Sequence, residues 1–79
     1  MNPRVVQARA ISDTQVAVEF ANGERGILDV AHYLDLPVFR ILRDPAEFRR
    51  VHAAHGTVAW SDDVDLCPDT VWHDAVRTP

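Results

Sequence analysis

The chain has no lysine, a single cysteine and only three glycines among its 79 residues. One cysteine excludes an intrachain disulfide and any zinc site built from several thiolates, which points to a reducing compartment, the cytoplasm. No apolar run approaches the roughly 20 residues needed to cross a bilayer, and "MNPRVVQARA" lacks the apolar core of a secretory signal, so neither membrane insertion nor export is expected. All eight cations are Arg, a pattern that a GC-rich coding bias explains and that carries no functional weight. Basic excess is missing as well. Residues 1–50 hold seven Arg against seven Asp or Glu, whereas residues 51–79 hold one Arg against five Asp, so the net charge of −4 lies in the C-terminal part. An acidic half repels phosphate and disfavours direct nucleic-acid binding.

A chain this short has room for one modest core. With no staples, a domain of this size often completes its burial on a second copy or a partner, so association is expected. No repeat, linker or low-complexity run divides the sequence, and 1–79 reads as one domain with residues 76–79 as a frayed tail.

Hydrophobic periodicity sets the order of elements. Arg4–Ile11 suits a strand, and "TQVAVEF" alternates Val16, Val18 and Phe20 with Ala17 and Glu19, the period of a half-buried strand. Asn22-Gly23 then signals a hairpin, read as a type I′ turn with positive φ at both residues, and Glu24–Val30 returns. Two registers compete. A two-residue turn pairs Val18 with Ile27, and a three-residue loop with Gly23 as a bulge pairs Val16 with Leu28. From Val30 onward the spacing of Leu34, Phe39, Leu42, Phe48 and Val51 becomes helical, with Pro37 opening one helix and Asp44-Pro45-Ala46-Glu47 opening another as an N-cap, N1 proline and capping-box glutamate. "RVHAA" and "TVAW" form a second hairpin about His55-Gly56, "SDDVD" reads as a loop, and Pro68 opens a terminal helix with Val71, Trp72 and Ala75 toward the core. The expected class is α+β: antiparallel hairpins, a central helical segment and a C-terminal helix.

Three motifs stand in a distinctive order: Asn22-Gly23-Glu24 followed by Asp29, then Gly56-Thr57-Val58-x-Trp60, then Asp65-Leu66-x-Pro68. With them, nearly the whole chain resembles a bacterial family of short proteins known as domain of unknown function 2442. The resemblance implies a compact α+β fold and no established activity, so no catalytic residue is carried over. Some relatives are fused to a helix-turn-helix domain and others are encoded beside a small uncharacterised protein, contexts that imply an accessory or sensory module. A DNA-reading part is not expected in this chain.

Several groups carry side chains with site chemistry. His52, His55, Cys67 and His73, with Asp65 as a further donor, carry the side chains of a zinc site, but a His-x-x-His in an extended strand sends its rings to opposite faces, so solvated rim histidines are the expectation. Asp62, Asp63 and Asp65 lack the twelve-residue calcium-loop pattern and read as a turn with a helix start. Cys67, ahead of the terminal helix, has no His-Asn or His-Asp pattern beside it, and Ser12 and Ser61 lack a nucleophile elbow. Arg40, Arg43, Arg49 and Arg50 place half of the cations on one segment; with Asp44 and Glu47 interleaved to pair locally it reads first as a solvated face, then as a surface for carboxylates on a protein partner, and last as a phosphate contact. Trp60 and Trp72 are expected to bury against one core, with one of them partly free as an interface anchor.

The expected function is therefore a non-enzymatic interaction or accessory module without a cofactor, acting as a homodimer or with a companion protein. Val5, Val18, Ile27 and one tryptophan are the expected shared surface. The competing reading is a metal- or ligand-binding, enzyme-like domain that uses His52, His55, Cys67 and Asp65.

Overall fold

The computed structural model describes residues 2–78. Strands β1 (Val5–Ala10), β2 (Gln15–Phe20) and β3 (Arg25–Asp29) form a meander. Two 3₁₀ helices, Ala31–Asp35 and Pro37–Arg43, lead to the single turn α1 (Pro45–Phe48). Then come β4 (His52–Ala54), β5 (Thr57–Ser61), β6 (Val64–Asp65), helix α2 (Pro68–Asp74) and β7 (Val76–Thr78). The strands make two antiparallel sheets, β1-β2-β3-β7 and β4-β5-β6, so the chain is α+β.

The alternation in β2 is realised as burial: Val16, Val18 and Phe20 point into the core. Val16 pairs with Leu28, which selects the three-residue loop over the two-residue turn. Gly23 alone takes positive φ, at 90°, while the Asn22 side-chain oxygen accepts from the Glu24 amide at 3.0 Å. The type I′ expectation fails here because Asn22 uses its amide to fold back on the next residues, and only the bulge position needs the left-handed region. Positive φ at both central residues occurs instead at His55 (54°) and Gly56 (78°), where a two-residue loop joins Ala54 to Thr57.

The central segment departs from α-helical geometry. Pro37 and Pro45 push the residues before them, Leu36 and Asp44, into extended backbone (ψ 139° and 118°), and the stretch between is too short for a stable α-helix. It tightens to three residues per turn, with the Phe39 amide donating to the Leu36 carbonyl at 3.0 Å. Asp44 caps α1 as read, accepting from the Ala46 amide at 2.9 Å. Glu47 does not close a capping box; its carboxylate meets Arg50 at 3.3 Å.

Two further corrections concern the C-terminal part. Only Asp62 and Asp63 form the turn of "SDDVD", since Val64 and Asp65 pair with Ser61 and Ala59 as β6. Residues 76–78, read as frayed, pair with β3 as β7, with Arg77 opposite Gly26; Pro79 lies outside the described residues. A Cβ at Gly26 would stand 2.9 Å from the Val76 carbonyl oxygen, so a side chain there would drive β7 off the sheet.

The core collects Phe20, Phe48, Leu28, Val16, Val30, Val58 and Val71 at full burial, with Trp60 beside them. Val5 and Val18 belong to this core and not to a shared surface, because the register turns both inward. Ile27 is half-buried and turned the other way from Leu28.

Candidate functional site

The second 3₁₀ helix sorts its side chains by threes. At three residues per turn, positions i and i+3 eclipse and form ridges along the axis. Phe39 and Leu42 make the ridge that enters the core. Val38 and Ile41 make a second ridge, 54% and 56% exposed, and Leu36 at the start of the segment is 47% exposed. Arg40 and Arg43 make the third ridge. An aliphatic strip thus stands in solvent beside a basic one.

The four arginines singled out in the sequence have different duties. Arg43 Nε donates to the Leu34 carbonyl at 3.0 Å and its Nη2 meets Asp35 at 2.7 Å, which ties the two 3₁₀ helices together. Arg50 is paired with Glu47. Arg40 and Arg49 are exposed, and among the described residues neither has a carboxylate within ion-pair distance. An unpaired guanidinium on the surface remains available for bidentate contact with a carboxylate.

The tryptophans divide between core and rim. Trp60 is 4% exposed, lies against Phe48 and Phe39 with ring centroids 5.8 and 6.4 Å away, and donates from Nε1 to the Phe48 carbonyl at 2.9 Å. Its whole surface is consumed within the fold. Trp72 is half-buried and meets Phe20 edge-on at 4.9 Å. The Arg77 guanidinium covers Trp72 at 4.0 Å and donates to the carbonyls of Trp72 (2.9 Å) and Ala75 (2.8 Å), closing the end of α2.

The metal-ligand candidates are spread over separate elements. His52 is on β4 with Nδ1 2.9 Å from the Arg50 carbonyl, His55 is at the tip of the β4–β5 turn, Asp65 is on β6, and Cys67 is the exposed residue before α2. Among the described residues no group of three or more His, Cys, Asp or Glu is placed to hold a metal ion.

One polar cluster escapes sequence reading. The Tyr33 hydroxyl donates to Asp74 Oδ2 at 3.0 Å, His73 Nδ1 lies 3.0 Å from Asp74 Oδ1, and the His32 ring lies 4.1 Å from that of Tyr33. Burial, and then the Asp74 carboxylate, push the Tyr33 hydroxyl pKa up. The hydrogen bonds from His73 and then Tyr33 hold Asp74 below the ordinary carboxylate value. This cluster fastens the first 3₁₀ helix to the end of α2. Tyr33 and Asp74 are 41 positions apart, and no local pattern signals their meeting. The ridges of the second 3₁₀ helix did leave a signal, since "PVFRIL" separates into apolar, basic and core sets only when counted by threes.

Among the described residues no helix is long and apolar enough to cross a membrane. No curated protein and no solved structure matches the chain. A family described as "Protein of unknown function (DUF2442)" matches residues 5–77, the span that holds the described helices and both sheets but for Thr78, the last residue of β7. With all three motifs inside that span, the chain belongs to the DUF2442 family.

Proposed function

We propose that the chain is a non-enzymatic interaction module of the cytoplasm, which presents the second 3₁₀ helix to a protein partner. The observation that carries this reading is the solvent-exposed Val38–Ile41 ridge, extended by Leu36 and flanked by the unpaired Arg40. Leaving three aliphatic side chains in water forgoes burial at about 25 cal/mol for each Å² of apolar surface, and a bound partner recovers that term. Arg40 and Arg49 favour a partner with carboxylates at the rim of the contact, where charge sets orientation and on-rate more than affinity. Arg43 and Arg50 are exposed but already paired within the chain, with Asp35 and Glu47, and contribute shape rather than free charge. Trp60 has no surface left to act as an anchor, and Trp72 serves the fold through Arg77.

The reading is tested by comparing tagged wild type with Ile41→Glu in quantitative capture from the native host. Ile41 is exposed, so the variant keeps its fold, which circular dichroism checks. A protein held by the wild type, this chain's own untagged copy included, and lost by the variant supports the module. Identical capture profiles overturn it.

A further inference from the structure

We infer that the occupant of this ridge is a second copy of the chain, docked about a two-fold axis so that the basic segment of each copy meets the acidic turn of the other. The inference rests on the interaction-module reading and adds to it the identity of the partner.

The acidic turn is the first ground. Asp62, Asp63 and Asp65 are exposed, and among the described residues none of them pairs with a cation. They are the complement of Arg40 and Arg49. The fold also sets the two charges side by side. Trp60 donates to the Phe48 carbonyl, which locks the end of β5 against α1; Asp62 follows two residues after Trp60, and Arg49 directly follows Phe48. Arg49 and the acidic turn therefore lie at one end of the molecule without closing on each other. A surface that carries adjacent patches of opposite sign is complementary to its own image across a two-fold axis.

Area sets the strength. The three aliphatic side chains offer on the order of 300 Å² of apolar surface, against about 800 Å² per partner in a standard stable complex. A contact this far below the standard size makes a weak dimer. The edges of the larger sheet are other places where two copies could meet: β1, whose first residue already donates to the Gly56 carbonyl at the turn of the smaller sheet, and β7, where Val76 is 71% exposed. That edge, β7, is only three residues long, a length by which native sheets blunt edge pairing.

Sedimentation equilibrium of the untagged chain from about 1 to 500 μM, a range that reaches the concentrations at which weak dimers form, reads the weight-average mass. Wild type should rise from the 8.9 kDa monomer toward twice that value. Ile41→Glu should remain monomeric, and Val76→Glu should associate like wild type. Charge reversal sharpens the test. A chain with Arg40→Glu and Arg49→Glu, and a chain with Asp62→Arg and Asp63→Arg, should each lose association at least tenfold and regain it when mixed.

A wild type that stays monomeric throughout overturns the second copy as occupant. If Ile41→Glu still loses a captured host protein in that case, the interaction module itself survives. Association untouched by Ile41→Glu but lost in Val76→Glu assigns the contact to the β7 edge and overturns the ridge, and failure of the mixed charge variants to associate overturns the two-fold pairing of patches.

Discussion

Replacing Arg77 by Ala should unfold the chain far more readily than the loss of a residue two places from the C-terminus suggests. The guanidinium donates to the carbonyls of Ala75 and Trp72 at 2.8 and 2.9 Å and lies 4.0 Å from the Trp72 ring and 4.8 Å from the Phe20 ring. A charged hydrogen bond contributes about 1.5–3 kcal/mol when buried, and with the side chain 30% exposed the low end applies. Stacking on Trp72 adds about 0.5–1 kcal/mol, and the exposed contact with Glu24 at 3.4 Å adds close to nothing. Water replaces part of the lost bonding at the α2 carbonyls, so the expected net loss is about 2–3 kcal/mol. At about 0.05–0.15 kcal/mol per residue, that is between about a sixth and three quarters of the stability of a chain of this length. Thermal denaturation followed by circular dichroism should show Tm falling by about 10–20 °C. Arg77→Lys keeps the charge but cannot fork to two carbonyls, and should fall about halfway between. A shift for Arg77→Ala below about 3 °C, or a lysine variant equal to wild type, would refute the argument that β7 and α2 are held by this side chain.

Four further outcomes follow from individual residues. Gly23→Ala meets nothing within 4 Å and suffers only its φ of 90°, so chemical denaturation should show a loss of about 1 kcal/mol. Gly26→Ala meets the Val76 carbonyl at 2.9 Å and should cost more than Gly23→Ala, with amide exchange accelerating first in β7. His55→Gly relieves a non-glycine residue at φ 54° and should raise the urea midpoint, by about 0.5–1 kcal/mol in stability. The Asp74 carboxylate, held below its unfolded value by His73 and Tyr33, stabilises the fold above the unfolded pKa of about 4, and this contribution is lost as pH falls through the lower folded value. Urea midpoints measured from pH 6 down to pH 3 should therefore fall less steeply for Asp74→Asn than for wild type.

The strands were legible wherever the alternation of apolar and polar residues was strict. β2 is the plain case, since Val16, Val18 and Phe20 can face a core only by turning Ala17 and Glu19 away. The N-cap at Asp44 was legible because capping is a local contact between a side chain and an amide two residues on. Turn type was not. Asn22-Gly23 and His55-Gly56 both read as turns, yet the pair with positive φ at both residues is the one whose first member is histidine. In the β2–β3 loop the choice followed from register, which brings Val16 opposite Leu28. In the second hairpin it followed from the two-residue connection between Ala54 and Thr57.

For the candidate site the division falls along the same line. Local pattern alone places Arg40, Arg43, Arg49 and Arg50 on one segment, an acidic turn after them, and Trp60 and Trp72 where they join the last hairpin and helix to a core. Tertiary structure decided which of these groups remain free. Arg43 is spent on the Leu34 carbonyl, Trp60 on the Phe48 carbonyl and Trp72 on Arg77, while Arg40 and the Val38–Ile41 ridge are left outside. β7 was invisible for the same reason: "VRT" is too short to declare itself a strand, and only Gly26, across the fold, leaves space for it to pair. A local pattern records what a residue does to its neighbours in the chain, whereas availability for a partner depends on contacts between residues distant in sequence, and those exist only after the core has closed.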